Sequence, residues 1–180
     1  MKLVNAIWLG MLVIPSAAQD CRNGGVGQLM TFSYPMDTGG TMNLRPTALM
    51  PEAQGTVTLL RKSTMVDIDV RVDDIPPAEN LGGGLSTYVV WLVAPDGALR
   101  NIGELLMNGN SGILQTTTNW GAFGIIVTAE PNHCVKCPSA VILANEDCVA
   151  GLQRERAVTI VCRNPSPRCP DELTPTIEIH

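Results

Sequence analysis

Basic side chains are scarce in this chain of 180 residues: 12 Lys+Arg stand against 17 Asp+Glu, a formal net charge of −5. Beyond residue 18 only Lys62 and Lys136 remain of the lysines. Nucleic acid and anionic membrane surfaces are held by dense positive charge, so neither is expected as a partner. Histidine is equally rare, with only His133 and His180 to offer for acid–base chemistry. A hydrolytic triad needs a base beside its nucleophile, and nothing marks His133 for that role. Aromatics reach only 4%, too few for the stacking platform of a sugar-cleaving site. Phosphate loops are missing as well, because Gly82-Gly83-Gly84 is followed by neither Lys-Ser/Thr nor a helix signal. The acidic pairs Asp67/Asp69 and Asp73/Asp74 lack calcium-loop spacing. Gly109-Asn110-Ser111-Gly112 reads as a hairpin turn rather than a nucleophile loop. No enzyme, metal or cofactor is expected.

What is present begins with a leader. Lys2 precedes an apolar run over 3–14, and Pro15, Ser16, Ala17 and Ala18 follow. This is the pattern of a secretory signal cleaved after Ala18, and the apolar run falls short of a spanning helix. A protein secreted or periplasmic after cleavage is expected, with no membrane contact thereafter. A lipid anchor on Cys21 is disfavoured by Asp20 before it. The six cysteines are Cys21, Cys134, Cys137, Cys148, Cys162 and Cys169. In an exported chain an even count predicts disulfides. Cys162–Cys169 is the favoured local bridge, because Asn164-Pro165-Ser166-Pro167 between them forms turns. Cys134 and Cys137 also make one CxxC. Structural zinc wants two such knuckles, and a redox pair wants a helix start, which Pro131 and the strand-like 140–143 do not supply.

Strand signals fill the rest. Val66, Ile68, Val70 and Val72 alternate with Asp67, Asp69, Arg71 and Asp73, a period of two with one dry and one wet face. Residues 56–60 read as its hairpin partner. The run 87–93 is apolar throughout and predicts a central strand buried on both faces. Further strands are expected at 99–106, 113–118, 122–128, 141–143, 157–161 and 176–179, with 74–85 a long loop. Only 146–156 suits a short helix. Many short strands with turns between them predict an all-β, antiparallel, immunoglobulin-like β-sandwich of about seven to nine strands with a disulfide-stapled C-terminal part. The expected buried set includes Val66, Ile68, Val70, Val90, Trp91, Leu92, Ile125 and Val127. The chain divides into the leader 1–18, an N-terminal segment 19–52, the sandwich 53–145 and a cysteine-rich extension 146–180 packing on it.

Within 19–52 lies one patterned island. Met30, Phe32, Tyr34 and Met36 alternate with Thr31, Ser33 and Pro35, and Asp37-Thr38-Gly39-Gly40-Thr41 follows as a flexible connector. The island predicts one strand, either at the edge of its own sandwich or completing a neighbour's sheet. Met30, Met36, Met42 and Met50 are too loosely spaced for a compact thioether copper site, so core or interface filling is expected of them.

Several strings carry a resemblance: Tyr88-Val89-Val90-Trp91-Leu92-Val93, then Asp96-Gly97, Asn101-Ile102-Gly103-Glu104-Leu105, and the run 123–131 ending Thr128-Ala129-Glu130-Pro131. They resemble the extracytoplasmic domain of anti-sigma-K-type regulators, with a Tyr-x-x-Trp strand, an Asp-Gly turn and a terminal Thr-x-Glu-Pro. The likeness is greater to uncharacterised exported bacterial β-sandwich proteins that also carry the string at 45–53. It covers about 45–145 and implies the fold. Here the regulators' Gly-Gly-Ser after Glu-Pro is replaced by Asn132-His133-Cys134. Their sigma-binding domain and membrane helix have no counterpart in these residues, so sigma-factor inhibition is not expected. The functional expectation is a non-catalytic exported cell-envelope protein, a structural or protein-interaction module with a protein partner or self-association. Two alternatives stand beside it. One is a surface filament subunit that uses the N-terminal strand; the other is a thiol-based metal or redox protein that uses Cys134 and Cys137.

Overall fold

The computed structural model describes residues 28–162. The leader, Cys21, Cys169, His180 and the strand expected at 176–179 lie outside that range. Every long element within it is a β-strand, since alternating and continuous apolar runs separated by Gly, Pro and Asn turns leave no helical period. In chain order they are β1 (Gln28–Ser33), β2 (Gly39–Pro46), β3 (Gln54–Lys62), β4 (Met65–Asp73), β5 (Thr87–Val93), β6 (Leu99–Glu104), β7 (Leu106–Asn108), β8 (Ser111–Thr118), β9 (Ala122–Glu130), β10 (Ala140–Asn145) and β11 (Gln153–Thr159). All pairings are antiparallel.

Pairing order gives the topology. One layer runs β3-β4-β8-β7 and the other β6-β5-β9-β10. This is the A-B-E-D and C′-C-F-G arrangement of an immunoglobulin-like sandwich. β2 pairs with β3 on one edge and with β10 on the other, so it joins the two layers. Across the opposite gap, Arg100 of β6 donates to Thr118 Oγ1 at 3.4 Å and to Asn119 Oδ1 at 3.1 Å. The eleven strands therefore form one sheet curled almost into a barrel. β1 and β11 lie outside the sandwich order as a two-stranded ribbon, and β1 also touches the start of β9.

The interior forms from the inward positions of both layers. Val57, Leu59, Val66, Ile68, Val70 and Val72 meet Tyr88, Val90, Leu92, Phe123, Ile125 and Val127, all nearly inaccessible to water. The alternation read in β4 and the double-sided burial of β5 are both found. β5 achieves the second through a separate cluster on its outer face, in which Val89, Trp91, Val93 and Ile126 pack under Leu29, Val135 and Val158.

Three expectations are corrected. The connector after the island is not irregular: Gly39–Pro46 is β2, with Met42 and Leu44 buried and Thr41 and Asn43 outside. The paired glycines hid a period of two. No helix forms over 146–156, because Gln153–Thr159 is drawn out to pair with β1. The expected strand 99–106 is broken after Glu104, where Leu105 turns inward and is buried.

Candidate functional site

Four of the residues that carried the sequence resemblance, Trp91, Asn101, Thr128 and Glu130, meet at one place, the outer face of β5 and β9 and the loop 131–139 that crosses it. Their side chains serve as fasteners. Trp91 is buried under the cover, and its Nε1–H donates to Thr128 Oγ1 at 2.8 Å. Thr128 is two strand positions before Glu130, whose carboxylate is buried and accepts the Ser139 N–H at 2.7 Å and the Ser139 hydroxyl at 2.6 Å. A buried carboxylate demands such donors, and the two bonds return the loop to the sheet. Asn101 then holds the middle of the loop, donating to the His133 and Val135 carbonyls at 2.7 and 3.2 Å. On the inner face the Tyr88 hydroxyl donates to the Pro76 carbonyl at 2.7 Å and anchors the long loop before β5. Tyr88 is pushed up to about 12, first by burial and second by the Glu79 carboxylate.

No protein-family model, curated protein or solved structure matches the chain.

The cysteines complete this region. Cys137 bonds to Cys162, 25 residues on, with Cα atoms 5.6 Å apart. The favoured Cys162–Cys169 bridge is therefore wrong. Proximity in sequence chose a turn, whereas the return of β11 alongside β1 brings Cys162 back beside the loop. Cys134 and Cys148 are also disulfide-bonded, and the described residues contain no free thiol. The CxxC does not close on itself, since Cys137 is joined elsewhere. His133 sits on the surface with Nδ1 3.8 Å from Glu104 Oε2.

The N-terminal island divides. Phe32 and Tyr34 are fully buried in the sandwich interior, and the Tyr34 ring packs on Phe123 with centroids 4.4 Å apart. Burial holds the Tyr34 phenol far above its ordinary range. Met30 is half-buried, and Met36 stands 65% exposed beyond the strand end. A register shift between Met30 and Phe32 breaks the single-face alternation. Sequence reading passed over Asn145, which carries this junction. β9 changes its edge partner from β1 to β10 around Gly124 and Ile125. Wholly buried, Asn145 accepts the Ile125 N–H there and donates to the Met30 carbonyl at 3.0 Å. Gly124 makes the approach possible: a Cβ there would lie 2.7 Å from the Met30 oxygen. An asparagine at a strand end before Glu-Asp has no local signal for such a role.

The acidic pairs are engaged singly with neighbouring donors. Asp67 meets Lys62 at 3.4 Å, Asp73 accepts Ser111 at 2.6 Å, and Asp74 accepts Gln54 at 2.8 Å. Asp69 accepts Gln115 at 2.7 Å and pairs with Arg71, and these contacts hold its carboxyl below the usual range, the Gln115 bond foremost.

Proposed function

We propose that this is a non-catalytic exported protein of the cell envelope, acting as a structural or protein-interaction module. The observation that carries the reading is the oxidised state of Cys134, Cys137, Cys148 and Cys162, since disulfides form and persist outside the reducing cytosol. The use of Trp91, Thr128, Glu130, Ser139 and Asn145 as internal fasteners supports it further.

The thiol-based alternative requires Cys134 and Cys137 as a working pair, and the bond from Cys137 to Cys162 weighs against it. The filament alternative requires β1 to be given to a neighbour, and its pairing with β11 and β9 of the same chain weighs against that.

The test is expression of the full chain in a bacterium, followed by fractionation and intact-mass analysis. The reading expects an envelope-fraction species shortened by residues 1–18 and containing no titratable thiol. In-cell crosslinking should then give discrete adducts with a protein. A folded cytosolic species, or two free thiols at Cys134 and Cys137, overturns it.

A further inference from the structure

The outer cluster around Trp91 is roofed by parts that belong to no sandwich strand. Leu29 comes from β1, Val135 from the loop 131–139 and Val158 from β11. β1 is anchored independently, through Phe32 and Tyr34 in the interior and through the Asn145 amide on Met30. The other two roof pieces are thin, with Val135 and Val158 each 8% exposed. The Cys137–Cys162 bond ties the loop that carries Val135 to the residues that follow β11, the strand that carries Val158. Cys162 is exposed and Cys137 half-buried, so the bond is open to attack from solvent. Exposed disulfides are the reducible ones, and exchange requires access to a sulfur.

We propose that Cys137–Cys162 is a redox latch that closes the roof over the outer face of β5 and β9. A dithiol reductant transfers two electrons and two protons to the bond. One of its thiolates attacks Cys162 Sγ and displaces Cys137, and its second thiol then resolves the mixed disulfide. The products are two cysteine thiols and the oxidised dithiol. With the latch open, Val135 and Val158 part and uncover Val89, Trp91 and Val93. The sandwich interior stays intact, because its cluster draws on neither Val135 nor Val158. Asn101 holds the crest of the loop at the His133 and Val135 carbonyls and Ser139 ties its far end to Glu130, so the piece that the open latch releases is the end of β11, where Val158 and Thr159 form the last pairs of the ladder with Leu29 and Gln28.

Hydroxyl-radical footprinting of the full chain, read residue by residue by mass spectrometry, tests this. Graded reduction with a dithiol, alongside thiol mapping, should raise labelling of Trp91 severalfold as Cys137 and Cys162 become thiols. Tyr34 and Tyr88 in the interior should stay protected. A paired Cys137→Ala/Cys162→Ala variant, in which the bonds of Cys134 and Cys148 remain, should show the same Trp91 labelling without reductant. Trp91 protected while both sulfurs are free overturns the latch. Trp91 and Tyr88 labelled together also overturn it, because that pattern means the roof and sandwich open as one.

Discussion

Trp91 concentrates two kinds of stabilisation in one side chain. Its ring fills the outer cluster, and its N–H is satisfied inside a site closed to water. Trp91→Ala should lower unfolding free energy by about 3–5 kcal/mol, the range for truncating a large buried aromatic, as read by denaturant titration. Thr128→Val keeps the shape and removes the acceptor, stranding the indole N–H at a cost of about 1–3 kcal/mol. Tyr88 adds a pH response. Its folded pKa near 12 lies above the ordinary tyrosine value of 10.0, so the folded state keeps the proton longer. The contribution is therefore whole below pH 10 and is lost as pH rises through about 12. Alkaline unfolding should set in across that window, and Tyr88→Phe should shift its onset upward. Asp69 has the opposite sign: its lowered pKa gives a contribution present above the ordinary carboxylate range and lost on strong acidification. The alternating valines and the Trp91 string were legible because burial of a strand face leaves a local pattern. Asn145 was not, because its partners at Met30 and Ile125 lie far away in sequence and come together only through topology.

At the scale of elements, the ribbon of β1 and β11 depends on a small junction. Gly124→Ala would drive a methyl group into the Met30 carbonyl and the Leu29 side chain, both parts of β1. The expected outcome is faster amide exchange over Gln28–Ser33 and Gln153–Thr159, with exchange in β3 and β4 unchanged. Asn145→Ala should act on the same amides by a different route, leaving the Ile125 N–H without its acceptor. β2 shows why part of this layer escaped sequence reading. Its inward residues, Met42 and Leu44, are only two, and glycines and a turn precede them, so the pattern is short and its start obscured. Disulfide pairing was illegible for a further reason: six cysteines permit many partners, and the choice follows from where β11 lands.

Across the whole molecule, Cys137–Cys162 joins a sandwich loop to the chain beyond β11. By the chain-entropy account, a cross-link spanning 25 residues contributes about 3.5 kcal/mol. Cys137→Ala/Cys162→Ala should lose approximately that amount in chemical unfolding. The pairing of β1 has one more consequence, which concerns time. The Thr31 hydroxyl donates to the Arg156 carbonyl, 125 residues later in the chain. Among the described strands β1 is thus the first to be synthesised, while its ladder partner is the last. At a synthesis rate of roughly 5–20 residues per second, β1 waits on the order of ten seconds for β11. Tyr34 can dock on Phe123 once β9 has been made, 89 residues after it, but the Leu29 end of β1 stays without its ladder partner until β11 emerges, and the nascent chain must keep that edge apart from its neighbours until then.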